Sequence, residues 1–139
     1  MGASRHHSGE SKPQDHLILV VDDDEDMLEF VKITLRREGF RVETAPDGPQ
    51  AFEKVSRLAP SAVVTDLMFP WHGGQELIQA LQMGDLAEIP VVVMTGVFKN
   101  DAAKALVCGQ PNVIGYLEKP FDATALLSIL ERELGMTRS

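Results

Sequence analysis

Residues Leu17–Leu28 read LILVVDDDEDML, and the character of the chain changes in the middle of that stretch. Leu17 to Val21 is a continuous apolar run with no polar alternation, which predicts a short strand buried on both faces. Asp22, Asp23 and Asp24 end the run, and acids in that position favour the positive end of a helix dipole. Met27, Leu28, Val31 and Leu35 then recur at helical spacing and Gly39 is a stop signal, so a helix is expected from about Glu25 to Glu38.

The same strand-then-helix unit repeats outward from there. A short strand, Arg41 to Ala45, precedes a helix that starts at Asp47 and Pro49 with Ala51, Phe52, Val55 and Leu58 as its apolar stripe, ended by Pro60. Ala62 to Thr65 is a third strand with Asp66 at its end, followed by a turn with Pro70, Gly73 and Gly74 and a helix carrying Leu77, Ile78 and Leu81. Val91 to Met94 ends at Thr95 and Gly96, and an Ala-rich helix follows from about Asp101 to Cys108. Ile114 to Leu117 ends at Lys119 and Pro120, and a last helix from Asp122 turns Leu126, Leu127, Leu130 and Leu134 inward. Five strands alternating with five helices over short links predict a doubly wound α/β domain, a parallel sheet wrapped on both faces. We expect one domain over residues 16–136, a loose leader over 1–15 and a tail over 137–139.

Composition narrows the class of function. With 44% hydrophobic and 24% charged residues the chain has the balance of a globular protein, and no apolar run approaches the ~18 residues of a membrane span. The leader has no apolar core of a secretion signal, so a cytoplasmic location is expected. A net charge of −8 argues against direct nucleic-acid binding, which needs a basic face, and points to protein partners. The single cysteine, Cys108, reads as a small apolar residue, and the adjacent His6 and His7 as part of a solvated tail.

In a doubly wound fold, ligands sit at the carboxyl ends of the strands. Here those ends carry Asp22 and Asp23, then Asp66, Thr95 and Lys119. If the first and third strands are neighbours, three carboxylates converge, and two such charges ~5 Å apart repel by about 3 kcal/mol at an effective dielectric of 20. Lys119 offsets one charge; a hard divalent cation would offset two more, and an all-oxygen site suits Mg²⁺, with Mn²⁺ as a substitute, better than zinc. Such a site expects phosphoryl oxygens, for which Thr95 and Lys119 are fitting donors. Singly, each residue has an ordinary reading: Asp22 to Asp24 as a helix start, Asp66 as a turn cap, Thr95 as a loop hydroxyl, Lys119 as a surface charge. Their meeting at one sheet edge is what argues for a site.

Four segments, Ile18–Met27 (ILVVDDDEDM), Val63–Met68 (VVTDLM) with Pro70 and Gly74, Val93–Gly96 (VMTG) and Tyr116–Phe121 (YLEKPF), resemble in order the receiver domain of two-component response regulators. That resemblance covers roughly residues 16–136 and implies a flavodoxin-like sheet of order 2-1-3-4-5. It also implies that Asp66 is the phosphoacceptor, a choice among carboxylates that spacing alone leaves open. It further implies Asp22 and Asp23 as metal-site acids, the backbone carbonyl of Met68 as a metal ligand, Thr95 and Lys119 as contacts of the phosphoryl group, a cis Lys119–Pro120 bond and Tyr116 as a switching aromatic. The implied partners are a sensor histidine kinase or histidine phosphotransfer protein, a downstream protein target or fused output domain, and a self-dimer through the fourth helix, fifth strand and fifth helix.

The sequence departs from the family pattern around the site. Gly73 stands where the family commonly has an acidic or small polar residue, Trp71 and His72 are unusual beside the site, and the approach to the last strand, Gly109 to Val113, is long. Met68 and Val97, two positions after Asp66 and Thr95, are apolar and unable to orient a hydrolytic water, which implies slow self-dephosphorylation. Two rival functions are set against this one. An Asp-nucleophile phosphohydrolase of the haloacid dehalogenase kind wants a second Asp where Met68 stands. A phosphorylation-independent interaction module would carry these residues as vestiges. No Walker A or G-x-G-x-x-G loop suggests a nucleotide site. The chain reads either as a stand-alone receiver or as a piece of a longer regulator or hybrid kinase, with the second preferred.

Overall fold

A computed structural model describes residues 11–67, 74–96 and 101–136. Five strands, β1 (Leu17–Val21), β2 (Arg41–Ala45), β3 (Ala62–Asp66), β4 (Val91–Thr95) and β5 (Val113–Glu118), form one parallel sheet of order β2-β1-β3-β4-β5. The helices are α1 (Glu25–Arg37), α2 (Gly48–Leu58), α3 (Gly74–Leu81), α4 (Asp101–Cys108) and α5 (Ala123–Glu133). The doubly wound architecture and the expected strand order are therefore those observed.

The apolar runs explain the layering, because alternate residues of a strand face opposite sides. Ile18, Val20, Ala62, Val64, Val92 and Met94 pack with Val31 and Leu35 of α1 and Leu126 and Leu130 of α5. Leu19, Val21, Val63, Val91 and Val93 pack on the other side with Ala51 and Val55 of α2, Leu77, Ile78 and Leu81 of α3, and Val107 of α4. Helices α1, α2 and α5 begin where the sequence supplies a cap: the Asp24 carboxylate accepts from the backbone N–H groups of Asp26 and Met27, Asp47 from Gln50, and Asp122 from Thr124. One member of the expected α2 stripe is corrected. Phe52 is 39% exposed, because Ala51 and Val55 occupy the buried line of that helix and the next residue lies about 100° further round it.

Two departures from the linear reading matter for the site. Pro13–Asp15, inside the stretch expected to be loose, forms a 3₁₀ turn against β2, with Arg41 donating from its backbone N–H to the His16 carbonyl. The β4–β5 ladder also carries a bulge: Val91 pairs with Val113 but Val92 pairs with Gly115, so Ile114 is an extra residue. Beyond a one-residue insertion every side chain changes face. Tyr116 consequently lies opposite Val93 and packs with the α2/α3/α4 layer, while Leu117 joins the α1/α5 layer. At Gly115 a Cβ would stand only 3.2 Å from the Ile129 Cδ1 of α5, so the bulge also lets that helix approach closely.

Candidate functional site

Register assembles the site. Val21 of β1 pairs with Thr65 of β3, and one residue further the two neighbouring strands present Asp22 and Asp66. The Asp22 N–H still donates to the Ala45 carbonyl and that of Leu67 to the Met94 carbonyl, so the backbone holding both carboxylates remains tied to the sheet. Asp22 is wholly buried, Asp66 is 5% exposed, and Asp23 faces solvent. One carboxylate oxygen from each of Asp22, Asp23 and Asp66 lies within 4.8 Å of the others. Asp24, the fourth acid of that edge, is instead occupied with capping α1.

Lys119 enters from the far side. Its backbone N–H donates to the Thr95 carbonyl at 2.7 Å, extending the β4–β5 ladder by one residue, and the Lys119–Pro120 bond is cis. Its ammonium donates to Asp22 Oδ2 at 2.7 Å and lies 3.6 Å from Asp66 Oδ1. The other Asp22 oxygen accepts from the Asp24 N–H at 3.0 Å. Burial works against the charge of Lys119, but the hydrogen bond to Asp22 and the charges of Asp66, Asp22 and Asp24 outweigh it and hold the ammonium above its ordinary pKa.

Among the described residues, three carboxylates face one ammonium, an excess of two negative charges at a mostly buried edge. The ligand atoms gathered there from the described residues are carboxylate oxygens, the set that suits a hard divalent cation. Thr95 ends β4 beside this cluster, and its buried Oγ1 has no hydrogen-bond partner among the described residues. A buried hydroxyl left unsatisfied costs stability unless something else engages it.

Of the residues singled out in the sequence, Asp22, Asp23, Asp66, Thr95 and Lys119 are thus brought to one edge. Tyr116 sits two residues back from Glu118, the partner of Thr95, on the same face of the adjacent strand. Met68, Trp71, His72, Gly73 and Val97 lie outside the described residues. The linear reading missed Lys104, whose Nζ stands 4.3 Å from the centre of the Tyr116 ring; a lysine in an Ala-rich helix carries no signal of such a contact.

Known proteins resemble this chain in sequence and fold. The family model for the response regulator receiver domain matches residues 18–131. The DNA-binding response regulator MtrA of Mycolicibacterium paratuberculosis is 33% identical over 117 residues, which are 84% of this chain and 50% of that protein. Two solved structures superpose closely. CheY4, a chemotaxis response regulator of Vibrio cholerae, has 29% identity and a TM-score of 0.76, covering 86% of this chain and 98% of that one. The receiver domain of the sensor histidine kinase PA1611 of Pseudomonas aeruginosa, solved with a magnesium ion in its active-site cleft, has 26% identity and a TM-score of 0.77 over 86% and 98%. The chain spans about half the length of MtrA, so its likeness to that regulator is to one portion of it. With the sheet order, the acidic strand ends and the family model in agreement over the same residues, the chain belongs to the response regulator receiver domain family.

Proposed function

We propose that this domain is a phosphorylatable switch in which Asp66 takes a phosphoryl group from a phosphohistidine of a sensor histidine kinase or phosphotransfer protein. The observation that supports this most is the meeting of three carboxylates within 4.8 Å, one ammonium bonded to the cluster, and the buried hydroxyl of Thr95, which has no partner among the described residues. Asp22, Asp23, Asp66 and the Met68 carbonyl would hold Mg²⁺, as the PA1611 receiver holds magnesium in its cleft. When bound, that ion neutralises phosphoryl oxygens and so lowers the charge repulsion that an attacking carboxylate meets.

The residues then have separate tasks. A carboxylate oxygen of Asp66 attacks phosphorus, the phosphorus–nitrogen bond breaks, and its electron pair leaves with the imidazole of the donor. Lys119 turns from Asp22 and Asp66 toward the incoming oxygens, a redistribution of charge-assisted hydrogen bonds rather than a loss of them. Thr95, whose hydroxyl has no partner among the described residues, gains a hydrogen bond that exists only in the phosphorylated state. It therefore supplies the differential interaction that a two-state switch requires. Tyr116 follows on the same face, and the surface of α4, β5 and α5 changes for a downstream protein, a fused output domain or a second copy to read. No described helix is long and apolar enough to cross a membrane, and we place this chemistry in the cytoplasm, within a domain spanning residues 16–136.

Acetyl phosphate with Mg²⁺ tests this, read by mass spectrometry over time. The wild type is expected to gain one phosphoryl group and Asp66→Asn none; an unmodified wild type, or an equally modified variant, overturns the reading. The apolar residues Met68 and Val97 make the adduct long-lived, so a Met68→Asn, Val97→Glu double variant loses it faster in the same time course. Equal decay removes the slow-reset part alone.

A further inference from the structure

We propose that Lys104 of α4 is a positioning residue that holds Tyr116 in its resting place, so that releasing the ring from this lysine is part of switching the domain. This rests on the receiver reading above and adds to it a residue outside the strand-end site. The Lys104 ammonium lies 4.3 Å from the centre of the Tyr116 ring, within the range in which a cation is attracted by the π face. The contact crosses between two elements, α4 and the edge strand β5, so it is sensitive to any shift of one against the other. The β5 bulge is what makes it available. Were the ladder regular from Val113 onward, Tyr116 would lie opposite Met94 and face α1 and α5; with Ile114 bulged out of it, the ring lies on the side of Val93, Val107 and Thr95.

The same placement sets two pulls on one ring. From the surface, Lys104 draws it against α4; from within, a movement of Thr95 toward a phosphoryl group opens space on the adjacent strand. Leu106, beside the contact on α4, is 59% exposed, and the only buried side chain recorded on the described part of that helix is Val107. The far end of α4 is fastened separately: Gln82 donates to Gln110 and Asn112, and Asn112 donates to the Ile78 carbonyl, so the chain beyond the helix is anchored to α3. Midway along the helix, Lys104 links α4 to β5 through the cation over the ring. Lys104 also remains charged through neutral pH, since hydrogen bonding to Tyr116 and the nearby charge of Glu118 hold its pKa above the ordinary value.

The test uses the fact that Tyr116 is the single tyrosine of the chain. Protein labelled with 3-fluorotyrosine gives one ¹⁹F resonance, recorded with Mg²⁺ alone and with Mg²⁺ and beryllofluoride, which imitates an acyl phosphate. Lys104→Met keeps the aliphatic stem and removes the charge, while Lys104→Arg keeps a cation over the ring. A surface contact of this kind shifts the balance between ring positions about two- to fivefold. Lys104→Met is therefore expected to move the resting resonance toward the beryllofluoride position and to shrink the remaining beryllofluoride response, with Lys104→Arg close to wild type. A direct shielding effect of the lost charge would displace both end points alike and leave the response at full size, and that result overturns the proposal. So does a Lys104→Arg that behaves as Lys104→Met. If beryllofluoride leaves the wild-type resonance unmoved and acetyl phosphate adds nothing to Asp66, the receiver reading itself fails and takes this one with it; a failure confined to the Lys104 variants overturns this proposal alone.

Discussion

The two ends of the sheet solve opposite problems with polar groups. At the carboxyl ends of the strands, Asp22, Asp23 and Asp66 crowd together with a single ammonium among them, and the Thr95 hydroxyl is buried without a partner among the described residues. At the amino ends, a neutral chain of hydrogen bonds runs from Ser61 through His16 and Ser11 to the Leu134 carbonyl. Ser11 donates to the Leu134 carbonyl at 2.8 Å, so its oxygen accepts from His16 Nε2 at 2.7 Å. The other ring nitrogen is then left to accept from the Ser61 hydroxyl at 2.9 Å. One end is satisfied and ties Ser11 to Leu134, the residue that closes α5. The other holds unbalanced charge, which is costly in the resting fold and useful only to a ligand that completes it. Stability and reactivity have thus been separated along the length of strands of five or six residues.

Removing the ammonium should have the largest effect. Lys119→Met leaves the buried Asp22 without its counter-charge and is expected to destabilise the fold by about 3 kcal/mol, read from urea denaturation in the absence of divalent ions. Added Mg²⁺ should recover part of that loss; a variant as stable as the wild type would mean that the carboxyl end carries no real charge strain. At the amino end the counterpart is smaller. His16→Ala gives up two hydrogen bonds whose partners can turn to water, a loss of about 1 kcal/mol in the same measurement. An equal or larger loss than for Lys119→Met would erase the contrast between the ends.

The smallest and most diagnostic effect is in pH. Burial holds His16 below its ordinary value of 6.5, with Asp15 opposing and Arg41 reinforcing it, so the unfolded chain binds the proton more readily. The stability linked to His16 is complete above 6.5 and fades as pH falls through the lowered folded value. Lys119 is shifted the other way: its share is complete below 10.5 and fades as pH rises through the raised folded value. The amino end should weaken in acid and the carboxyl end in alkali. Urea midpoints against pH check this, with His16→Ala expected to flatten only the acid limb and Lys119→Met only the alkaline one.

The carboxyl end was legible before any coordinates, and the amino end was not. In a parallel sheet the last residue of every strand falls on one edge whatever the strand order, so Asp22, Asp66, Thr95 and Lys119 announce a shared edge by position alone. The amino-end chain joins Ser11 to Leu134 across 123 residues, and no local pattern marks a histidine that will be shared by two serines. Phe52 shows the same limit on a smaller scale, since periodicity gives a stripe but packing decides which edge of it is covered.

By itself, the order of residues determined the alternation of strands and helices, the two-sided burial of the sheet and the gathering of acids at its carboxyl edge, because these follow from periodicity, capping and chain direction. Only the tertiary structure decided which of those acids is buried, where the ammonium of Lys119 rests and which layer Tyr116 enters. The physical reason in the last case is one extra residue at Ile114, invisible as periodicity in so short a strand, which turns the ring across the sheet to Thr95 and under Lys104.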